Sequence, residues 1–218
     1  MNLLDLLFPP RCVLCRRGIS GKARVCPACA AELRQQDKPC VRETIEGCTA
    51  ADAVLVYQGK VRRALIDCKY QNRRAIGSWG GALVGACLMR HQPEWKADLV
   101  TYVPTTLGHW WKRGFNLSYL LAKAAARYSG LPCVRTVRRK WFGRSQLKVR
   151  TAKERRKNAE QTYFPGKPSS VSGKRVVLVD DILTSGATAA ACVRILRQMG
   201  ATEVFFICLA KTPDIRKK

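Results

Sequence analysis

Two pairs of cysteines and one pair of aspartates are the residues whose spacing could carry chemistry. Cys12-Val13-Leu14-Cys15 and Cys26-Pro27-Ala28-Cys29 set four thiols on two tight turns. Four thiolates at that spacing suit tetrahedral Zn²⁺ and leave no coordination position open, so zinc held there is structural and not catalytic. Free or redox-active thiols are the other reading of the same four residues. The second motif is Val176-Val177-Leu178-Val179-Asp180-Asp181-Ile182-Leu183-Thr184-Ser185-Gly186-Ala187-Thr188. An apolar β-branched run delivers two adjacent carboxylates at the carboxyl end of a strand, where α/β sheets collect ligands. Small hydroxyl and glycine residues follow and open a helix whose amides and dipole suit a phosphate. Thr184, Ser185 and Thr188 supply hydroxyl donors, Gly186 permits close backbone approach, and Ala187 begins the helix. The loop is neither G-x-x-x-x-G-K-[ST] nor G-x-G-x-x-G. Plain helix capping by Asp180 and Asp181 is the alternative, although neighbouring carboxylates repel without a partner.

These motifs need a frame. Residues 1–50 are too short and too basic to bury a core, so the metal would supply their folding free energy. From residue 51 to 218 strands alternate with helices, the pattern of a mostly parallel α/β sheet. Strands are expected at Ala53 to Tyr57, Leu99 to Val103, Val134 to Val137, Val176 to Val179 and Glu203 to Leu209. Helices are expected at Val61 to Tyr70, Ile76 to His91, Asn116 to Tyr128 and Ala187 to Met199, with Asn116 or Ser118 as a cap and Gly130 and Gly200 as stops. Arg138 to Gln161 reads as a long charged excursion, the kind that is often a functional lid. Cys68, Cys87, Cys133, Cys192 and Cys208 stand singly among apolar residues and read as small hydrophobes. His91 and His109 are read as structural.

Lys and Arg number 40 against 15 Asp and Glu, a net charge of +25 over 218 residues with 47% apolar content. That composition excludes wholesale disorder and calls for an anionic partner. No stretch reaches the roughly 18–20 apolar residues of a membrane helix, and the amino terminus lacks a secretory pattern, so the chain is read as cytoplasmic with no membrane span. Between Asp98 and Glu154 there is no acidic residue. Trp110 and Trp111 precede Lys112-Arg113, and Trp141-Phe142 lies between Arg138-Arg139-Lys140 and Arg144. Aromatic faces interleaved with cations are how single-stranded DNA is held without sequence reading. A buried aromatic core with a solvated basic rim is the bland alternative.

Val177 to Thr188 resembles the ribose-phosphate motif of the type I phosphoribosyltransferases, which use phosphoribosyl pyrophosphate (PRPP) with Mg²⁺. The two cysteine knuckles, Lys69-Tyr70, Val103-Pro104, Arg113-Gly114-Phe115-Asn116, Gln146-Leu147, Arg155-Arg156 and Asn158 extend the resemblance to the ComF (ComFC/GntX-like) competence family over nearly the whole chain. It implies a type I phosphoribosyltransferase fold behind a small four-cysteine zinc ribbon. Asp180 and Asp181 would contact the ribose hydroxyls, and Thr184 to Thr188 would hold the 5′-phosphate. Arg113, Arg150 and Lys153 would stabilise departing pyrophosphate, with a lid from Arg144 to Arg156. Single-stranded DNA in natural transformation, and other uptake proteins such as a competence helicase, are the implied partners. The chain departs from the family pattern at Leu117, where Gln is usual, and in retaining only Cys40 and Cys48 of a second ribbon, which predicts one zinc. A non-catalytic zinc-containing nucleic-acid adaptor and a salvage phosphoribosyltransferase with no DNA role are the rival readings, and no base-binding hood is recognisable.

Overall fold

The computed structural model describes residues 10–21, 23–36, 45–70, 75–105, 114–140, 162–167 and 170–213. In chain order these hold α1 (Pro27–Gln35), β1 (Ala50–Val56), α2 (Gly59–Tyr70), α3 (Ala75–Trp95), β2 (Leu99–Tyr102), α4 (Leu117–Ser129), β3 (Val137–Arg139), β4 (Tyr163–Pro165), β5 (Arg175–Leu183), α5 (Ala187–Gln198) and β6 (Glu203–Lys211). β1, β6, β5 and β2 form one parallel sheet in that order. The expected α/β class is therefore the observed one.

Period-two alternation explains the layering. Val177, Val179, Phe205, Ile207 and Leu209 join the core that contains α2, α3 and α4, whereas Val176, Leu178, Val204, Phe206 and Cys208 join the core beneath α5. A sheet covered on both faces needs continuous apolar strands, which is why β5 and β6 read as unbroken runs. Cys12, Leu14, Cys26 and Cys29 belong to the same apolar cluster as Val61 and Leu65 of α2, so the cysteine segment is packed on the α/β body.

Three expectations are corrected. The strand expected at Val134 to Val137 begins at Val137, because the preceding residues serve another sheet: Val100 donates to Pro132 and Val134 donates back to Val100, both at 2.9 Å. The chain then leaves β2 and pairs as β3 with β4 in a two-stranded antiparallel sheet. Arg138, Arg139 and Lys140 therefore belong to ordered backbone and not to the charged excursion. β5 also runs four residues past Val179, because Asp180, Ile182 and Leu183 keep pairing with β6 after β2 has ended.

Helices α3 and α4 touch through glycines. A Cβ on Gly81 would lie 2.3 Å from Ala124 Cβ, and one on Gly85 2.7 Å from Tyr128 Cβ. Gly81→Ala should lower stability by about 1–3 kcal/mol through overpacking, despite gaining helix propensity worth about 1 kcal/mol. Adding Ala124→Gly should recover part of the loss in urea melts. Unchanged stability of Gly81→Ala would refute the close approach.

Candidate functional site

At the amino end the four thiols converge: each sulfur of Cys12, Cys15, Cys26 and Cys29 lies within 4.8 Å of the others. Cys15 Sγ and Cys26 Sγ are 3.6 Å apart, and the Cys26 amide donates to Cys12 Sγ at 3.4 Å. Arg16, in the left-handed region at φ 67°, turns the first knuckle, and the Cys12 amide bonds Arg17 O across it at 2.9 Å. Burial pushes the Cys12 thiol up, but the amides of Cys15, Cys26 and Leu14 outweigh it and bring it down to about 6. The backbone at Cys29 lowers Cys26, whereas burial and the neighbouring sulfurs raise Cys29. Four thiols so close cannot all ionise without a cation, and amides aimed at sulfur are what a tetrathiolate zinc site needs. The donor set fits structural zinc. Arg16 also pairs with Asp67 of α2, which ties the knuckle to the body.

The acidic pair occupies the carboxyl edge of the sheet. Val103 N bonds Val179 O at 3.0 Å, the last rung joining the β2 side to β5, and the next residue is Asp180. Asp180 Oδ1 accepts from Ser118 Oγ at 2.9 Å and from the Asp181 amide at 2.8 Å. Ser118 is 5% exposed and lies in the first turn of α4. Gly114-Phe115-Asn116 place it there. Gly114 turns at φ 69°, Phe115 is buried, and Asn116 Nδ2 donates to Val103 O at 3.0 Å. Asn116 is the cap residue of α4 by position, but its side chain holds the end of β2 in place of capping the helix.

Beyond Leu183 the chain turns through exposed Thr184 and Ser185 into Gly186. Gly186 sits at φ 71° as the cap residue of α5 and offers no side-chain acceptor to the first amides of the helix. A Cβ there would meet nothing within 4 Å, so glycine is required for its backbone conformation and not for space. Amides at a helix start without a side-chain cap, next to two hydroxyls, form a seat for a phosphate dianion.

β3 and β4 stand against this helix. Arg139 donates to Tyr163 Oη at 3.0 Å and lies over its ring at 5.1 Å. Burial raises the Tyr163 phenol, and the Arg139 charge acts in the other direction. Burial, reinforced by the Asp180 charge, also raises the Cys192 and Cys208 thiols, which remain protonated fillers as expected from sequence.

The structure brings Asp180, Asp181, Thr184, Ser185, Gly186, Ala187 and Thr188 to one edge. Arg113, Arg150 and Lys153 lie outside the described residues, as do Trp110, Trp111, Lys112, Trp141, Arg144, Cys40 and the remainder of the excursion up to Gln161. Arg138 and Lys140 are exposed on or beside β3, whereas Arg139 is half-buried against Tyr163. Sequence reasoning missed the Ser118 contact, the Arg139–Tyr163 pair and Lys211, a lysine 3% exposed in register with Leu183 at the end of β6. Only a charge closing the Val204 to Ala210 run hinted at the last.

Residues 3–44 match the double zinc ribbon domain, and residues 114–218 match the phosphoribosyl transferase domain. The chain thus joins a segment similar to a zinc ribbon to a segment similar to a phosphoribosyltransferase domain. Among the described residues one four-cysteine centre is formed, at Cys12, Cys15, Cys26 and Cys29. The chain is similar to the DNA utilization protein YhgH of Salmonella typhimurium, with 27% identity over 92% of this chain and 90% of that protein. It is 28% identical to Competence protein F of Haemophilus influenzae over 47% of this chain and 46% of that one. Among solved structures, glutamine PRPP amidotransferase from B. subtilis aligns at TM-score 0.43 and 24% identity, over 62% of this chain and 26% of that enzyme. The segment that matches the phosphoribosyl transferase domain carries the acidic pair, the Gly186 turn and β3–β4. No helix among the described residues is long and apolar enough to cross a membrane.

Proposed function

We propose that this phosphoribosyltransferase domain binds Mg²⁺-PRPP at the carboxyl edge of its sheet and that the protein assists single-stranded DNA handling in natural transformation. The observation that carries the first half is the junction of Asp180-Asp181 with the Gly186 turn. Carboxylates that accept from sugar hydroxyls stand one short turn away from helix amides that bind phosphate. In this reading Thr184, Ser185 and the amides of Gly186, Ala187 and Thr188 hold the 5′-phosphate, and Asp180 and Asp181 hold the ribose. Arg113, Arg150 and Lys153 would stabilise charge on the pyrophosphate as it departs. A bound Mg²⁺ would supply charge neutralisation to the departing group. Ser118 is a positioning residue, acting through Asp180.

The second half rests on the +25 charge and on the two relatives named for DNA utilization and competence. Exposed Arg138 and Lys140, with Trp110, Trp111, Lys112, Trp141 and Arg144, would form the DNA surface. Residues 1–50 would act as the zinc ribbon and 51–218 as the ligand-binding body, in the cytoplasm, beside uptake proteins such as a competence helicase.

The test is a calorimetric titration of Mg²⁺-PRPP into the full chain, together with fluorescence anisotropy of a labelled single-stranded oligonucleotide across a salt series. Saturable PRPP binding is expected, with DNA affinity falling at a log–log slope of about −0.7 per phosphate neutralised. DNA binding without PRPP binding would overturn the ligand site and leave a nucleic-acid adaptor. Pyrophosphate release with a free base and negligible DNA binding would identify a salvage transferase.

A further inference from the structure

A second set of metal-ligand atoms converges away from the zinc ribbon. Cys87 and His91 are four residues apart in α3, so they share one face of the helix. That face meets Asp52 of β1: Cys87 Sγ is 3.3 Å and His91 Nε2 2.8 Å from Asp52 Oδ2. The three donor atoms all lie within 4.8 Å of one another. Asp52 is in register with Ile207, on the outer strand of the sheet and separated from β5 by β6.

We propose that Asp52, Cys87 and His91 form a zinc site in which the carboxylate, the thiolate and the imidazole each supply one ligand and water completes the tetrahedron. Bond lengths of about 2.0–2.3 Å put neighbouring ligands of tetrahedral zinc roughly 3.5 Å apart. The two Asp52 contacts fall near that spacing, so small side-chain rotations suffice. The ligand types are those zinc takes, and the charges of a thiolate and a carboxylate match the ion's own.

The groups around the trio hold it in a ligating posture. Asp52 Oδ1 accepts from the Ala53 amide at 2.7 Å, which fixes the carboxylate and turns Oδ2 toward the other donors. The His91 ring stacks on Trp95 at 4.3 Å, and Trp95 stacks on Phe205 at 4.6 Å, each with a 7° interplanar angle. Trp95 is 2% exposed, so the imidazole plane is set by the core. Such outer contacts orient ligands in metal sites. The His91 and Asp52 side chains keep about a quarter of their surface, which gives water and an ion a way in.

Arg90 is the cation beside the trio. Its guanidinium is 3.2 Å from Asp52 Oδ2 and 3.4 Å from Cys87 Sγ, and its side chain is 58% exposed. One arginine therefore balances the group from the solvent side, and it can swing outward when zinc enters.

Zinc content of the full chain, dialysed against zinc and freed of excess, is the direct test. The chain should carry one zinc equivalent more than His91→Ala, and Arg90→Ala should keep that equivalent and bind it several-fold more tightly. Equal zinc in the wild-type chain and a His91→Ala variant of native circular dichroism would overturn the site. A cobalt titration of the wild-type chain needs no variant to fold. A saturable step with about one quarter of the thiolate charge-transfer intensity per ion of the tetrathiolate step is expected. Tetrathiolate bands alone would overturn the site.

Discussion

Mg²⁺-PRPP titrated into the Asp180→Asn/Asp181→Asn double variant should bind at least about 10²-fold more weakly than into the wild-type chain. Each carboxylate-to-hydroxyl bond is charge-assisted and worth about 1.5–3 kcal/mol, and two of them amount to roughly two to four decades in Kd. The variant should fold. The amide oxygen that replaces Asp180 Oδ1 still accepts from Ser118 Oγ and from the backbone at 181, the two bonds that hold the strand end. Neither aspartate sits in the apolar core that pairs β5 with β6. The opposing effect is repulsion: removing two negative charges beside a polyanion favours binding. In the proposed complex Mg²⁺ would offset that repulsion in the wild type, so loss of the hydroxyl acceptors should dominate. Equal affinities for the two proteins would sink the assignment of the acidic pair to the ribose, whereas the melting temperature should move little in either case.

Removal of zinc should release the ribbon and spare the sheet. Structural zinc contributes about 10–16 kcal/mol of apparent binding free energy in zinc-finger peptides, of the order of the whole stability of a domain at about 5–15 kcal/mol. The cysteine segment has α1 and a single isolated bridge between Arg11 and Gly18 as its regular structure, too little to persist alone. Its ties to the body include Cys12, Leu14, Cys26 and Cys29 in the α2 core, the Arg16–Asp67 pair and the exposed Lys60–Glu32 pair at 2.5 Å, and exposed ion pairs contribute about 1 kcal/mol or less. Cys29→Ser, or a strong chelator, should expose residues 10–36 to protease while the fragment from Ala50 onward survives, read by mass spectrometry of the digest. Adding zinc back should restore protection to the chelated wild type but not to the variant. Persistent protection of residues 10–36 after verified metal loss would show that packing, not metal, holds the ribbon.

Much of this was legible in the chain. The knuckles, the acidic pair and the strand–turn–helix around Gly186 are local, because each is fixed by residues within about a dozen positions. Burial on both faces was legible too, since β5 and β6 are continuous apolar runs. Strand ends were less so. Val134 to Val137 has the composition of a strand, but hydrogen bonds to β2 claimed its first half and β4 its end. β4 itself has three residues, too short for alternation to register.

The sequence by itself determined the four-cysteine cluster, the strand–turn–helix at Gly186, the α/β class and the basic charge, because spacing along the backbone and periodicity of apolar residues are properties of neighbours. Only the tertiary structure decided which distant side chains meet. Ser118 reaches Asp180 across 62 positions, and Asp52 meets His91 across 39. Cys87 and His91 were read as a small hydrophobe and a structural histidine, because nothing in the order of residues says that β1 would place a carboxylate opposite them. Long-range pairing follows from how helices lie on a sheet, and that geometry is set by the whole core at once.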